Sequence, residues 1–271
     1  MRDVIRQGIK DQPASNFGHA YDLLAPPPLE PGKPDVVERD KWIDRCLQVP
    51  EPQDYVSFYQ RWSGSFAGAE TYEATAKTRL LVGHGSPSGS DVGLTVHRPW
   101  GVPVLPGSAL KGLVAHYVDA VYGAAEPDRR QWRGPTWTDR RIAQGNGAGA
   151  YFAALFGAPA VDGEDDSARR GFVEFHDALY VPDSVLGGPF ARDVLTVHQK
   201  AYYDSSGKKG WPNDWDSPNP VSFITVRPYA KFLVVVTGEG DWPARAMALL
   251  RDALRTWGVG GKTAAGYGRL E

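Results

Sequence analysis

Lys262 and Arg269 lie in the run Gly258-Val259-Gly260-Gly261-Lys262-Thr263-Ala264-Ala265-Gly266-Tyr267-Gly268-Arg269, which carries two cations, a hydroxyl and an aromatic ring but no carboxylate. This composition suits a backbone phosphate. Glycine lets main-chain N–H groups approach an anion, and successive amides close into a nest to which the cations add charge. Gly258, Gly260, Gly261, Lys262, Thr263, Gly266, Tyr267 and Arg269 are the expected contacts, and the expected ligand is anionic and polymeric. A flexible connector is the bland alternative. If the loop lies outside the core, changing Gly260 or Gly261 to valine should harm binding more than folding.

Gly261-Lys262-Thr263 also matches the second half of a nucleotide-binding P-loop, but Thr256 stands where the leading glycine belongs. The preceding segment reads as a helix over 241–257, with Ala246, Leu249, Leu250, Ala253, Leu254 and Trp257 at helical spacing and Gly258 as its stop. A P-loop leaves a strand and opens a helix. This loop leaves a helix, so ATP hydrolysis is not expected.

A second glycine-bearing run, Gly101 to Gly112, opens another helix with Ser108 as N-cap and Leu110, Leu113, Val114, Tyr117, Val118 and Val121 as its buried stripe. Gly107, Ser108 and Lys111 would offer an anion free amides, the positive end of a helix dipole and a cation. An ordinary capped helix with a solvated lysine is the alternative. His198 and Lys200, with Tyr202 and Tyr203, suit stacking and pairing with RNA, although the two tyrosines serve equally well as core. Trp211 and Trp215, beside Lys208 and Lys209, suit subunit packing better than a base contact.

Catalytic constellations are weak. His176-Asp177 resembles the metal-binding pair of HD phosphohydrolases, but it sits in a strand-like run without the other ligands and reads as structural. His84, His97, His116 and His198 have no spacing for zinc or nucleophilic catalysis. No cofactor, metal or small-molecule substrate is expected. Cys46 is the single cysteine, so no internal disulfide forms.

Elements positioning these residues follow from periodicity. Tyr72 to Val82 alternates as a strand with one wet face, and Val92 to His97 is expected to complete a hairpin with it. Further strands are expected at 171–181, 221–226, 229–237 and 267–270, with 193–203 ambiguous. A helix over 35–47 should turn Val36, Ile43 and Leu47 inward, and the proline-rich run before it reads as an extended arm. Without the insertions the order is βαββαβ, which predicts an α+β, ferredoxin-like (RNA-recognition-type) core. The expected organisation is an amino-terminal arm and helical extension over 1–71, then one domain over 72–271 with insertions at about 123–149 and 204–218.

The 271 residues are 42% hydrophobic and 23% charged, an ordinary globular composition. With no bilayer-length apolar run and no signal-peptide pattern, a cytoplasmic location is expected. The formal net charge of −2 argues against coating nucleic acid with the whole surface but leaves room for a local track. No carboxylate falls between Asp91 and Asp119 or between Asp252 and Glu271, the stretches that hold the glycine-rich motifs.

With these motifs placed, the chain resembles the RAMP superfamily, the repeat-associated RNA-binding subunits of CRISPR effectors. The terminal loop resembles that superfamily's glycine-rich loop, and Val104 to Gly112 resembles the segment opening its first core helix. Residues 79–85, 171–178, 193–198 and 218–223, in that order, are similar to the family of sixth Cmr subunits of type III-B complexes. The resemblance covers roughly 72–270 and implies a non-catalytic RNA-binding and assembly subunit near the 3′ end of the guide RNA, at the end of the filament. The implied partners are the CRISPR guide RNA, target RNA as a further candidate, and other Cmr-type subunits, with no membrane. Ala264 and Ala265 stand where the superfamily's terminal loop is arginine-rich. A CRISPR RNA-processing endoribonuclease of the same superfamily is the alternative.

Overall fold

The computed structural model describes residues 14–26, 35–85, 92–123, 127–197, 202, 205–208, 211 and 219–271. Helices α1 (Phe17–Leu23), α2 (Val36–Leu47) and α3 (Tyr55–Gly64) precede the first strand. Asn16 Oδ1 accepts the His19 N–H at 3.0 Å, while its amide nitrogen donates to the Arg98 and Pro99 carbonyls at 3.2 and 3.0 Å. One side chain thus caps α1 and ties it to a distant turn. Asp35 caps α2 through the Glu38 N–H. The buried face of α2 is Arg39, Trp42, Ile43 and Cys46, whereas Val36, expected inward, is exposed on the first turn.

These helices pack onto the rest of the chain. Phe17 stacks on Phe190 at 3.7 Å, Trp42 Nε1 donates to the Ala20 carbonyl at 2.9 Å, and the Tyr55 hydroxyl donates to the Tyr180 carbonyl at 2.6 Å. Phe17, Trp42, Ile43 and Tyr55 share one buried cluster with Leu105, Tyr180 and Phe232.

The main sheet contains β1 (Glu70–Thr75), β2 (Val96–His97), β3 (Val102–Leu105), β4 (Val173–Phe175), β5 (Ala178–Tyr180) and β8 (Lys231–Gly238). Its order is β1-β8-β5-β3-β2, β4 also pairs with β8, and every pairing is antiparallel. The expected hairpin of 72–82 with 92–97 is corrected: Val96 and His97 pair with Pro103 and Val102, although the Thr95 N–H still donates to the Val82 carbonyl. β1 stops at Thr75, because Ala76 turns to Leu270 and Leu80 to Val226. The expected strand over 171–181 is broken at His176-Asp177. The expected strand over 267–270 is only the Ala76–Leu270 bridge.

Helices α4 (Gly107–Tyr122) and α6 (Trp242–Thr256) pack together on one face of the sheet, and the short α5 (Ala150–Phe156) supports α4. Leu110, Val114 and Val118 of α4 meet Ala246, Leu250 and Leu254 of α6 and Ala74, Val234 and Val236 of the sheet. Leu250 and Leu254 are fully buried, contributing about 2 kcal/mol each. Val121, expected in the stripe of α4, is exposed on the last turn. Strands β6 (Phe190–Val197) and β7 (Asn219–Val226) form a separate two-stranded ribbon, which makes 193–197 of the ambiguous run a strand, while 198–201 and 203 lie outside the described residues. Arg192 ties it to α2, donating to the Asp44 carboxylate at 2.7 Å and the Asp40 carbonyl at 2.8 Å. Among the described residues, no helix is long and apolar enough to cross a membrane.

Candidate nucleic-acid interface

The terminal loop is pinned at its base and open at its tip. Val259 N–H donates to Gly268 O at 2.9 Å, Gly268 N–H to Arg79 O at 2.8 Å, and Gly261 N–H to Leu81 O at 2.6 Å, so the loop is stitched to the chain that follows β1. Lys262 is left-handed (φ 59°, ψ 30°) and leads directly into the 3₁₀ turn Thr263–Ala265. A left-handed residue followed by right-handed ones points successive amides into one concavity. Those amides belong to Lys262, Thr263 and Ala264, and none has a backbone or side-chain acceptor among the described residues.

Arg269 lies at the base of the loop. Its guanidinium packs against Gly258, and its Nη1 is buried with no hydrogen-bond partner. A buried donor without an acceptor costs about 1–3 kcal/mol, which an anion or another acceptor would recover. His84 lies against Gly261. Its imidazole pKa falls below the ordinary value because of burial and the neighbouring Lys262 ammonium.

Tyr267, expected among the ligand contacts, is committed elsewhere. Its hydroxyl donates to Asp193 Oδ2 at 2.7 Å, and burial together with that carboxylate pushes its pKa up to about 12. Arg79 also reaches Asp193, at 3.4 Å. The ribbon therefore brings a carboxylate to the base of a loop that has none nearby in sequence, and sequence spacing gave no sign of it.

The opening of α4 is corrected as well. Pro106 is the N-cap, Ser108 is exposed and makes no capping bond, and the Gly107 N–H donates to Asp177 Oδ1 at 2.7 Å. A carboxylate of the chain itself thus occupies the position where a phosphate was expected. Gly107 serves packing, since a Cβ there would overlap the Phe175 carbonyl. Asp177→Ala should lower stability by about 1–2 kcal/mol, as loss of a capping carboxylate does. Its salt dependence of RNA binding should match the wild type; a steeper slope would mean that phosphate enters once the carboxylate is gone.

The two glycine-bearing motifs nevertheless meet. Ala109, Gly112, Leu113 and His116 of α4 face Trp257, Gly260 and Arg269 across a groove of about 830 Å³, and no carboxylate lines it. Lys111 is half-buried, one residue from that wall. His198 and Lys200 lie outside the described residues. His176 Nε2 is 2.8 Å from Thr237 Oγ1 and its ring packs on Phe66, a structural role. Among the described residues, no group of His, Cys, Asp and Glu is arranged to hold a metal ion.

The RAMP superfamily family model matches residues 73–271. The CRISPR system Cmr subunit Cmr6 of Pyrococcus furiosus is 29% identical over 270 residues, an alignment covering 87% of this chain and 78% of that one. A chain from the cryo-EM structure of type III-B Cmr-beta bound to cognate target RNA shares the fold with a TM-score of 0.58 at 17% identity, covering 87% of this chain and 71% of that chain. The crystal structure of Cmr6 from P. furiosus gives a TM-score of 0.44 at 26% identity, over 74% of this chain and 97% of that chain.

Proposed function

The chain belongs to the RAMP superfamily, and we propose that it is a non-catalytic RNA-binding and assembly subunit of a type III-B, Cmr-type CRISPR effector. In this reading it grips the guide RNA backbone near its 3′ end, at the end of the filament and beside other Cmr-type subunits, in the cytoplasm. The observation that carries RNA binding is the terminal loop: a nest of three unpartnered amides with Lys262 at its edge and the Arg269 guanidinium against Gly258 at the loop's base. The assembly comes from the similarity to Cmr6.

The ferredoxin-like reading of the core rests on strand order. Leu270 bridges to the end of β1, β1 pairs with β8, and β8 pairs with β4 and β5. Helices α4 and α6 supply the two crossovers on one face, as βαββαβ requires. The division near residue 72 follows the same core, with α1 to α3 as an extension packed onto it. Lys111 belongs to the proposed surface through its place beside the groove, whereas Gly107 and Tyr267 are assigned to the fold and Ser108 stays exposed on the first turn of α4. No cofactor is required.

Phosphate beside His84 would raise its depressed pKa, so binding takes up a proton and affinity increases as pH falls through the bound-state value towards the free-state one. The test incubates the purified chain with labelled single-stranded RNA at several salt concentrations and two pH values. Weak, salt-sensitive binding, tighter at the lower pH, with intact RNA is the expected result. Cleavage abolished by replacing His84, His97 or His198 would establish the endoribonuclease alternative, and absence of binding at low salt would remove RNA from the reading.

A further inference from the structure

We propose that the groove between α4 and the terminal loop is a nucleobase subsite, taking one unstacked base of the strand whose phosphate sits on the nest. The proposal rests on the RNA-binding reading of that loop and adds to it what the neighbouring concavity holds.

Three features determine the occupant. The groove, of about 830 Å³, falls within the range of about 300–1,000 Å³ typical of small-ligand sites. Its walls offer the flat indole of Trp257, 37% exposed and held edge-to-face on Tyr117 at 5.4 Å, and opposite it the apolar Ala109 and Leu113. Its charged feature is Arg269, which contributes to the lining.

An aliphatic side chain from a partner protein would fill the walls and cover the Arg269 guanidinium with nothing to pair it. A base brings a π-face for the indole and ring or carbonyl acceptors for the guanidinium. It also arrives tethered to a phosphate, and the nest lies at the rim of the same groove, where Gly260, Thr263 and Ala264 contribute to its lining. Carboxylates are absent from that lining, so the sugar-phosphate meets no repulsion there. Base–aromatic stacking tolerates any sequence, which suits a protein that holds a guide of variable sequence by its backbone.

Gly112 permits a test that spares the fold. A Cβ at this position has no heavy atom within 4 Å, and the residue lies on the groove wall within α4. Gly112→Leu should fill the groove, and it replaces a poor helix former. The experiment compares a short uridine oligomer with an abasic oligomer of identical length and charge, each titrated against wild type and Gly112→Leu over a salt series. Wild type should bind the uridine oligomer about tenfold more tightly than the abasic one. Gly112→Leu should bind both equally, at the wild-type abasic affinity, with an unchanged salt slope.

Equal binding of both oligomers by wild type, with a normal salt slope, would overturn the base subsite and leave the phosphate nest standing. A full preference for uridine in Gly112→Leu would also overturn it, making the groove a surface for something other than RNA. Loss of the salt slope in wild type would instead refute the RNA-binding reading itself.

Discussion

Replacing Lys262 and Arg269 together by alanine should lower affinity for single-stranded RNA by about a hundredfold, taking roughly 1.5 kcal/mol for each charge-assisted contact. The slope of log affinity against log salt should flatten by about 1.4, since each phosphate neutralised on a single strand contributes roughly 0.7. Lys262 stands at the nest, and Arg269 lies at the loop's base with an unpartnered nitrogen, so both losses fall on one loop. Arg79, close by in space, should contribute little because Asp193 already holds it at 3.4 Å. Thermal melting of the double variant controls for folding. Arg269 is partly embedded, but its removal also takes away an unsatisfied donor, and Lys262→Ala keeps a Cβ at the left-handed position. A salt slope equal to that of the wild type would remove the terminal loop from the binding surface.

Local patterns were legible where a single element buried one stripe. The helices over 36–47, 107–122 and 242–256 follow from apolar spacing, the last of them with Gly258 as its stop. Strand partners were not legible, because period-2 alternation shows which face is buried and not which neighbour is bonded. The alternation holds over 72–77, where Ala74 and Ala76 are buried, but Leu80, Leu81 and Val82 are buried in succession. Yet the chain changes partner twice along it, from β8 to Leu270 and then to Val226. The role of Asp177 was hidden for a related reason. It lies 70 residues from Gly107, and in the sequence it reads as half of a His-Asp pair.

The amino-terminal region shows the same limit. Most of the proline-rich run expected to be extended, residues 27–34, lies outside the described residues, and Phe17, Tyr21 and Trp42 flanking it build an aromatic cluster that reaches Phe190. Phe17 and Tyr21, two large rings ahead of that run, are a signal of docking, since a solvated arm has no surface on which to bury them.

Gly268→Ala and Gly260→Ala should each destabilise the protein by about 3 kcal/mol, reversing the expectation that the loop glycines serve binding more than folding. Both are in the left-handed region, at φ 78° and 91°. A Cβ on Gly268 would overlap the Val259 carbonyl, and one on Gly260 would lie 2.5 Å from the Leu81 carbonyl. Left-handed backbone costs an L-residue about 1–2 kcal/mol. Displacing the backbone neighbour would also weaken the bonds from Val259 to Gly268 and from Gly261 to Leu81, at about 1 kcal/mol each. Gly266 supplies the contrast: it is equally left-handed, at φ 92°, but a Cβ there meets nothing within 4 Å. Gly266→Ala should therefore cost only the backbone term, about 1 kcal/mol. At roughly 2–4 °C per kcal/mol for a chain of this size, the first two variants should melt about 10 °C below wild type and Gly266→Ala about 3 °C below. Equal melting temperatures for Gly266→Ala and Gly268→Ala would show that close backbone approach does not hold the loop, and that φ alone sets the demand for glycine.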